Sequence, residues 1–460
     1  MRLRHPLDRE ILTLALPALG ALAADPLVSM VDTAFVGRLG VTPLGALGVN
    51  ASVFSMTFVV FNFLAYGTTP MIARAVGRGD KERAGRLAVE ALTLAVVAGL
   101  VALALIQAFA GPILSVMGAT GELRDPALTY LRIRAFAGPA VLIITAGHGI
   151  FRGWHDTRTP LVVSLGLNLV NLALDPFLIF GLGWGLAGAA AATAIAQWTG
   201  ALWFMWLVLH RRRAALGVVL HLPRPGDLLP FLQVGGALVV RTLALIGTMT
   251  LATAVATRVG TLAVAAHQVA SQLWMLLALV VDALAVAAQA MVARYRGGED
   301  GAAPDPERTT GKRLDRRSAL QHRTDVTARA ASARLLSWGV VVGFGLAALF
   351  LAARPWLPRV FTDDPAAIAR VDAILPFVIW MQPLNGLVFV WDGVLMGAED
   401  FRFLAVQMLV SAAAAAAVLL AVVPMGWGLV GVWWGIVTLM GGRAVSLGAR
   451  YFGIIGRQVP

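Results

Sequence analysis

Asn168, Asn171 and Asp175 lie in one apolar run. Asn171 and Asp175 are four residues apart and Asn168 is seven from Asp175, so all three share one face of a helix. A carboxylate in such surroundings costs several kcal/mol unless it is paired, hydrated or protonated. Asp175 is therefore a usable proton carrier. With amide and hydroxyl oxygens nearby, the same cluster could instead ligate Na⁺, and the bland alternative is a polar patch that only joins helices. Asp32 is a second acid in an apolar run, with Gly37 and Gly40 close behind it. Its bland reading is an interfacial aspartate at a helix end.

These acids belong to a duplicated framework that duplicates neither of them. Pro139, Gly149, Gly153, Asp156 and Arg158 recur as Pro383, Gly393, Gly397, Asp400 and Arg402. After a one-residue slip, Trp184-Gly185-Leu186 and Gly188 return as Trp427-Gly428-Leu429 and Gly431. Gly20 and Arg74 likewise correspond to Gly236 and Arg294. Yet Asp175 falls opposite Val418 or Leu419, and Asp32 opposite a position close to Thr248. Two related halves, with buried charge kept in one of them, are the pattern of a membrane transporter.

Composition agrees. The chain is 58% hydrophobic and 13% charged, with a mean hydropathy of +0.78. Soluble domains carry about 45–50% apolar and about 25% charged residues. Apolar runs are expected to form twelve helices, at 11–37, 44–72, 85–109, 127–150, 160–181, 186–209, 228–257, 262–293, 335–353, 370–396, 402–423 and 428–450. That makes an all-α membrane protein of two six-helix lobes, 1–215 and 216–460, related by a pseudo-twofold along the membrane normal. The N-terminus reads as an uncleaved first helix, in which Pro17 and Pro26 are interior prolines. Without cysteine, disulfides, thiolate metal sites and cysteine nucleophiles are excluded. No His-Glu-x-x-His string supports a membrane-embedded metalloenzyme.

A net charge of +12 could suggest nucleic acid, but its placement is topological. Arginines cluster at 2–9, 74–86, 152–158, 211–224, 294–334 and 450–457, and are sparse in the alternate connections. This positive-inside pattern predicts cytoplasmic termini, a plasma (inner) membrane location and no nucleic-acid partner. The stretch 297–333 is predicted to be an inserted, solvated cytoplasmic loop.

Further polar residues are candidates for binding. Asp25 and Arg241 stand five residues after Gly20 and Gly236, equivalent places with opposite charge. They could form a cross-lobe ion pair that closes the cytoplasmic side of the cleft, or each could pair within its own lobe. In the second half, Asp282, Gln289, His267 and Gln268 are candidates for substrate contact, as are Trp274 and Met275. His148 and Asp392 are repeat equivalents near helix ends, where a structural role is expected. Three strings are set aside. Gly181-x-Gly183-x-Gly185-x-x-Gly188 lacks the strand a dinucleotide loop needs. Arg78-Gly79-Asp80 is a basic turn, and His155-Asp156 has no further metal ligands.

Five segments in order resemble the multidrug and toxic compound extrusion (MATE) family, and within it the DinF-like branch. They are Leu14-Ala-Leu-Pro17-Ala, Ser29-Met-Val-Asp32-Thr-Ala-Phe-Val-Gly37-Arg-Leu-Gly, Ala73-Arg-Ala-Val-Gly-Arg-Gly-Asp80, Arg152-Gly-Trp-His-Asp156-Thr and Asn171-Leu-Ala-Leu-Asp175-Pro-Phe-Leu-Ile-Phe-Gly181. The resemblance spans essentially the whole chain. It departs from the family pattern in the long 297–333 insertion and in the alanine-rich 402–423 segment. It implies an antiporter that exports organic, often cationic amphipathic compounds against H⁺, in preference to Na⁺; the protein is expected to work as a monomer and without a cofactor. It further implies that Asp32, Asn171, Asp175 and Thr193 handle the coupling ion. A lipid or lipid-linked-sugar flippase of related architecture is the alternative. It would need a basic cavity, and the sequence offers only Arg241 and Arg443 away from the loops.

Overall fold

In a bilayer, backbone N–H and C=O groups have no water to bond, so an apolar chain satisfies them within helices. The computed structural model describes residues 6–301, 314–360 and 365–455, and it is helical throughout. The helices are α1 (Pro6–Gly37), α2 (Val41–Val59), α3 (Phe63–Gly77), α4 (Lys81–Val116), α5 (Arg124–Ala135), α6 (Gly138–Gly153), α7 (Arg158–Pro176) and α8 (Gly185–Trp206). They continue with α9 (Pro225–Val259), α10 (Thr261–Gly301), α11 (Leu314–Ala353), α12 (Pro365–Trp380), α13 (Gln382–Gly397), α14 (Phe401–Val422) and α15 (Gly428–Ile455). Among the described residues, ten helical segments are long and apolar enough to cross a membrane, and counting each of two bent pairs as one span gives twelve.

The bent pairs fall on the expected spans 127–150 and 370–396, and they bend by 48° between α5 and α6 and by 47° between α12 and α13. The repeated prolines explain both bends. Pro139 and Pro383 each stand in the first turn of the second segment, where proline needs no N–H and ends the helix before it.

The chain divides into two compact units, Leu16–Gly235 and Met1–Ala15 with Gly236–Pro460. The division falls within α9 and not at the arginine-rich link, because the first turns of α9 pack on α3. A Cβ on Gly67 would lie 3.0 Å from Val234, and one on Gly235 would lie 2.9 Å from the Phe63 ring. The start of α1 joins the second unit through two acids. Asp8 accepts from Arg334 Nε (2.5 Å) and Nη2 (2.6 Å) and from Trp338 Nε1 (2.9 Å). Glu10 accepts from the Tyr295 hydroxyl at 2.7 Å.

The expected loop at 297–333 is partly helix. α10 runs on to Gly301 and α11 begins at Leu314, because 314–334 is rich in alanine, leucine and arginine and free of proline. Residues 302–313 of that segment lie outside the described residues.

Candidate functional site

Within the first unit, a cavity of about 350 Å³ opens among α1, α2, α5, α7 and α8. α1 brings Asp25 and Asp32 to it, α7 brings Asn168 and Asn171, and α8 brings Thr193 and Gln197. Helical spacing does the positioning. Asn168, Asn171 and Asp175 are all buried along one face of α7, and Asp175 has no exposed surface. Pro176 follows it directly, and the next turn, Phe177–Gly181, widens to π-helical geometry before the chain turns back at Gly183 (φ 69°) and Gly185 (φ 55°). The string that imitates a dinucleotide loop is this turn between helices.

Asp32 and Asp175, from different helices, have side chains within hydrogen-bonding reach of each other. Two carboxyl groups bond in this way only when one of them carries a proton. As two carboxylates they offer each other no donor, and both Asp175 oxygens and Asp32 Oδ1 are then buried without a partner. Asn171 Nδ2 is also buried without one. Thr193 donates its hydroxyl proton to the Ala189 carbonyl at 2.9 Å, which leaves the oxygen lone pairs for the cavity. Asp25 accepts from Asn168 Nδ2 at 2.8 Å.

This arrangement of acids in an all-helical transmembrane chain can be set beside known proteins. The MatE family model matches residues 17–177 and 323–422. Protein DETOXIFICATION 44, chloroplastic, of Arabidopsis thaliana is 35% identical over 452 residues, 95% of this chain and 81% of its own. The chain belongs to the MatE family. As a MatE protein it is a multi-pass membrane transporter, and its two-lobe architecture is the family's. DNA damage-inducible protein F of Escherichia coli (strain K12) is 30% identical over 302 residues, 64% of this chain and 65% of its own. Among solved structures, one of MATE in the bent conformation matches with a TM-score of 0.87 at 21% identity, covering 99% of this chain and 97% of that one.

In the second unit of this MatE chain the charges are arranged differently. Asp392 of α13 is buried and its Oδ2 accepts from Arg241 Nη2 at 2.7 Å and from Arg443 Nη2. Asp25 and Arg241 thus each have a partner within their own unit. His267 is buried, with Nε2 3.3 Å from the Thr253 hydroxyl and its ring edge-on to Trp433. Gln289 and Trp274 are also buried, Asp282 is partly exposed, and Gln268 and Met275 are exposed. His148, in α6, is 3.3 Å from the Ser164 hydroxyl and packs edge-on to Phe204.

Arg134 and Tyr130, not among the residues expected at the site, line the cavity from α5. Arg134 is thus an arginine away from the loops in addition to Arg241 and Arg443. Its place inside the apolar segment 127–150 is the sequence signal that marks it. The bend before α6 lets α5 carry this arginine beside the acids.

Outside the membrane segments, Asp156 caps α7. It accepts from Thr159 N (2.9 Å), the Thr159 hydroxyl (2.6 Å) and Arg212 Nη1 (2.6 Å). Burial acts to raise its pKa, but the Thr159 and Arg212 bonds outweigh burial and hold the carboxyl below its ordinary range. His155-Asp156 is thus a helix-linking turn, with His155 in the left-handed region (φ 59°).

Proposed function

We propose that this chain is a proton-coupled antiporter that exports positively charged organic compounds by alternating access. It would sit in the plasma (inner) membrane with both termini cytoplasmic, as the distribution of arginines supports. The observation that carries the reading is the Asp32–Asp175 pair, a half-buried and a fully buried carboxyl group within reach of each other, whose mutual hydrogen bond would need one proton. Binding of that proton and of substrate is competitive. Uptake of the proton in the outward-facing state removes one negative charge from the Asp32–Asp175 pair and weakens its hold on a positively charged compound. Loss of the proton inside restores the charge. Each ligand shifts the inward–outward equilibrium only through its different affinity for the two states.

A Na⁺-coupled version draws on one further observation. Thr193, Asn171 and Asp32 line the cavity and Asp175 lies within reach of Asp32, so oxygens of the kind that hard cations take are supplied from three helices.

The test is efflux of a fluorescent cationic dye from proteoliposomes, driven separately by a pH gradient and by a Na⁺ gradient, with Asp175→Asn as control. Dye movement with the pH gradient alone, lost in the variant, is the expected outcome. Movement with Na⁺ alone would transfer the site to that ion, and normal efflux by the variant would refute the role of Asp175.

A further inference from the structure

Arg134 is a cation in a cavity otherwise built to attract cations. Its guanidinium lies 5.2 Å from the Phe54 ring centroid and beside the Tyr130 hydroxyl. It is close enough to Asp25 and Asp32 to act on both electrostatically. Yet among the described residues it makes no ion pair within 4.0 Å with either. An arginine whose only task was to neutralise these acids would pair with one of them through its planar fork. Here the fork lines the cavity, half-buried, with donors that no carboxylate among the described residues takes.

The remaining walls fit an aromatic guest. Phe54 and Phe58 stack at 5.7 Å, and both line the same cavity as Tyr130. The volume, about 350 Å³, accepts one small molecule of a few rings. The opposite charges are supplied by different helices, Asp25 by α1 and Arg134 by α5.

We propose that this cavity is a site for small aromatic zwitterions, with Arg134 taking the carboxylate and Asp25 the ammonium group. The proposal rests on the antiport reading above and shifts its substrate class from simple cations to molecules that carry an ammonium group and a carboxylate together. A pure cation meets the guanidinium as a like charge, and a pure anion meets two acids. A molecule carrying both charges satisfies each wall, and Arg134 becomes the specificity-determining residue.

The test uses three indoles of similar size: tryptophan (zwitterion), tryptamine (cation) and indole-3-propionate (anion). Their binding to the full-length protein in detergent is measured by calorimetry, for wild type, Arg134→Gln and Arg134→Lys. Wild type is expected to prefer tryptophan over both others by roughly tenfold or more. Arg134→Gln should lose that preference, weakening tryptophan and indole-3-propionate but not tryptamine, and Arg134→Lys should keep part of it. Tryptamine as the tightest wild-type ligand, an equal loss for all three in Arg134→Gln, or no binding of any indole would overturn the proposal. Dye efflux under a pH gradient and under a Na⁺ gradient is read on proteoliposomes made from the same wild-type preparation. Active efflux without zwitterion preference removes this inference alone, whereas absence of efflux under either gradient removes the antiport reading.

Discussion

Gly99 and Pro139 pack so closely that a Cβ on Gly99 would lie 2.4 Å from the Pro139 Cα. In the other unit Gly343 repeats the contact, with a Cβ that would lie 2.7 Å from the Pro383 Cα. Each bent span is thus seated by its proline on a glycine of a neighbouring helix, α4 or α11. Helix association in a bilayer depends on such close approach, since lipid tails are as apolar as leucine. Gly99→Ala and Gly343→Ala should each destabilise the protein by about 1–3 kcal/mol. Thermal unfolding in detergent checks this, and a wild-type midpoint for either variant would show that the bends seat without the glycine.

Asp32 and Asp175 lie within hydrogen-bonding reach of each other and so should act as a unit in transport. Asp32→Asn and Asp175→Asn should each abolish efflux driven by a pH gradient, and the double variant should lose no more than either single one. Clearly additive losses would mean that the two acids work separately.

The buried Asp392 bonds two arginines, so removing it strands positive charge. Asp392→Asn should cost about 3–5 kcal/mol. Replacing Arg241, Asp392 and Arg443 together with methionine or leucine should cost less, because no uncompensated charge then remains. Denaturation of both variants compares the two effects, and a triple variant less stable than Asp392→Asn would contradict this account.

Asp156 supplies the pH-dependent term. Its folded-state pKa lies below the ordinary value of 3.8, so its contribution is complete above that value and is lost as pH falls through the lower folded one. Asp156→Asn should therefore cost about 1–3 kcal/mol near neutral pH. The gap from wild type should narrow below about pH 4. A gap constant down to pH 3 would show that the charge on Asp156 is irrelevant.

The repeat was legible because duplicated packing leaves duplicated residues. Gly149 and Gly393, picked out as repeats, are close-approach points: added Cβ atoms would lie 2.9 Å from Thr68 and 2.3 Å from the Ala285 carbonyl oxygen. His155 and Glu399, at equivalent helix ends, share φ 59° although their side chains differ. Backbone shape here outlasts side-chain identity, and only the structure displays it. The partner of Asp175 could not be read from spacing, because Asp32 lies on another helix far away in the chain.

From residue types and periodicity alone came the apolar helical spans, the two related halves and the acids of α1 and α7. Each of these is local or repeats locally, since an apolar run must be helical in lipid and a face of α7 follows from its turn angle. The bends at Pro139 and Pro383, the Asp32–Asp175 contact, the two arginines on Asp392 and the presence of Arg134 in the cavity came only from the tertiary structure. They depend on which helices meet and at what rotation, and that is set by the packing of many small contacts that no single segment encodes.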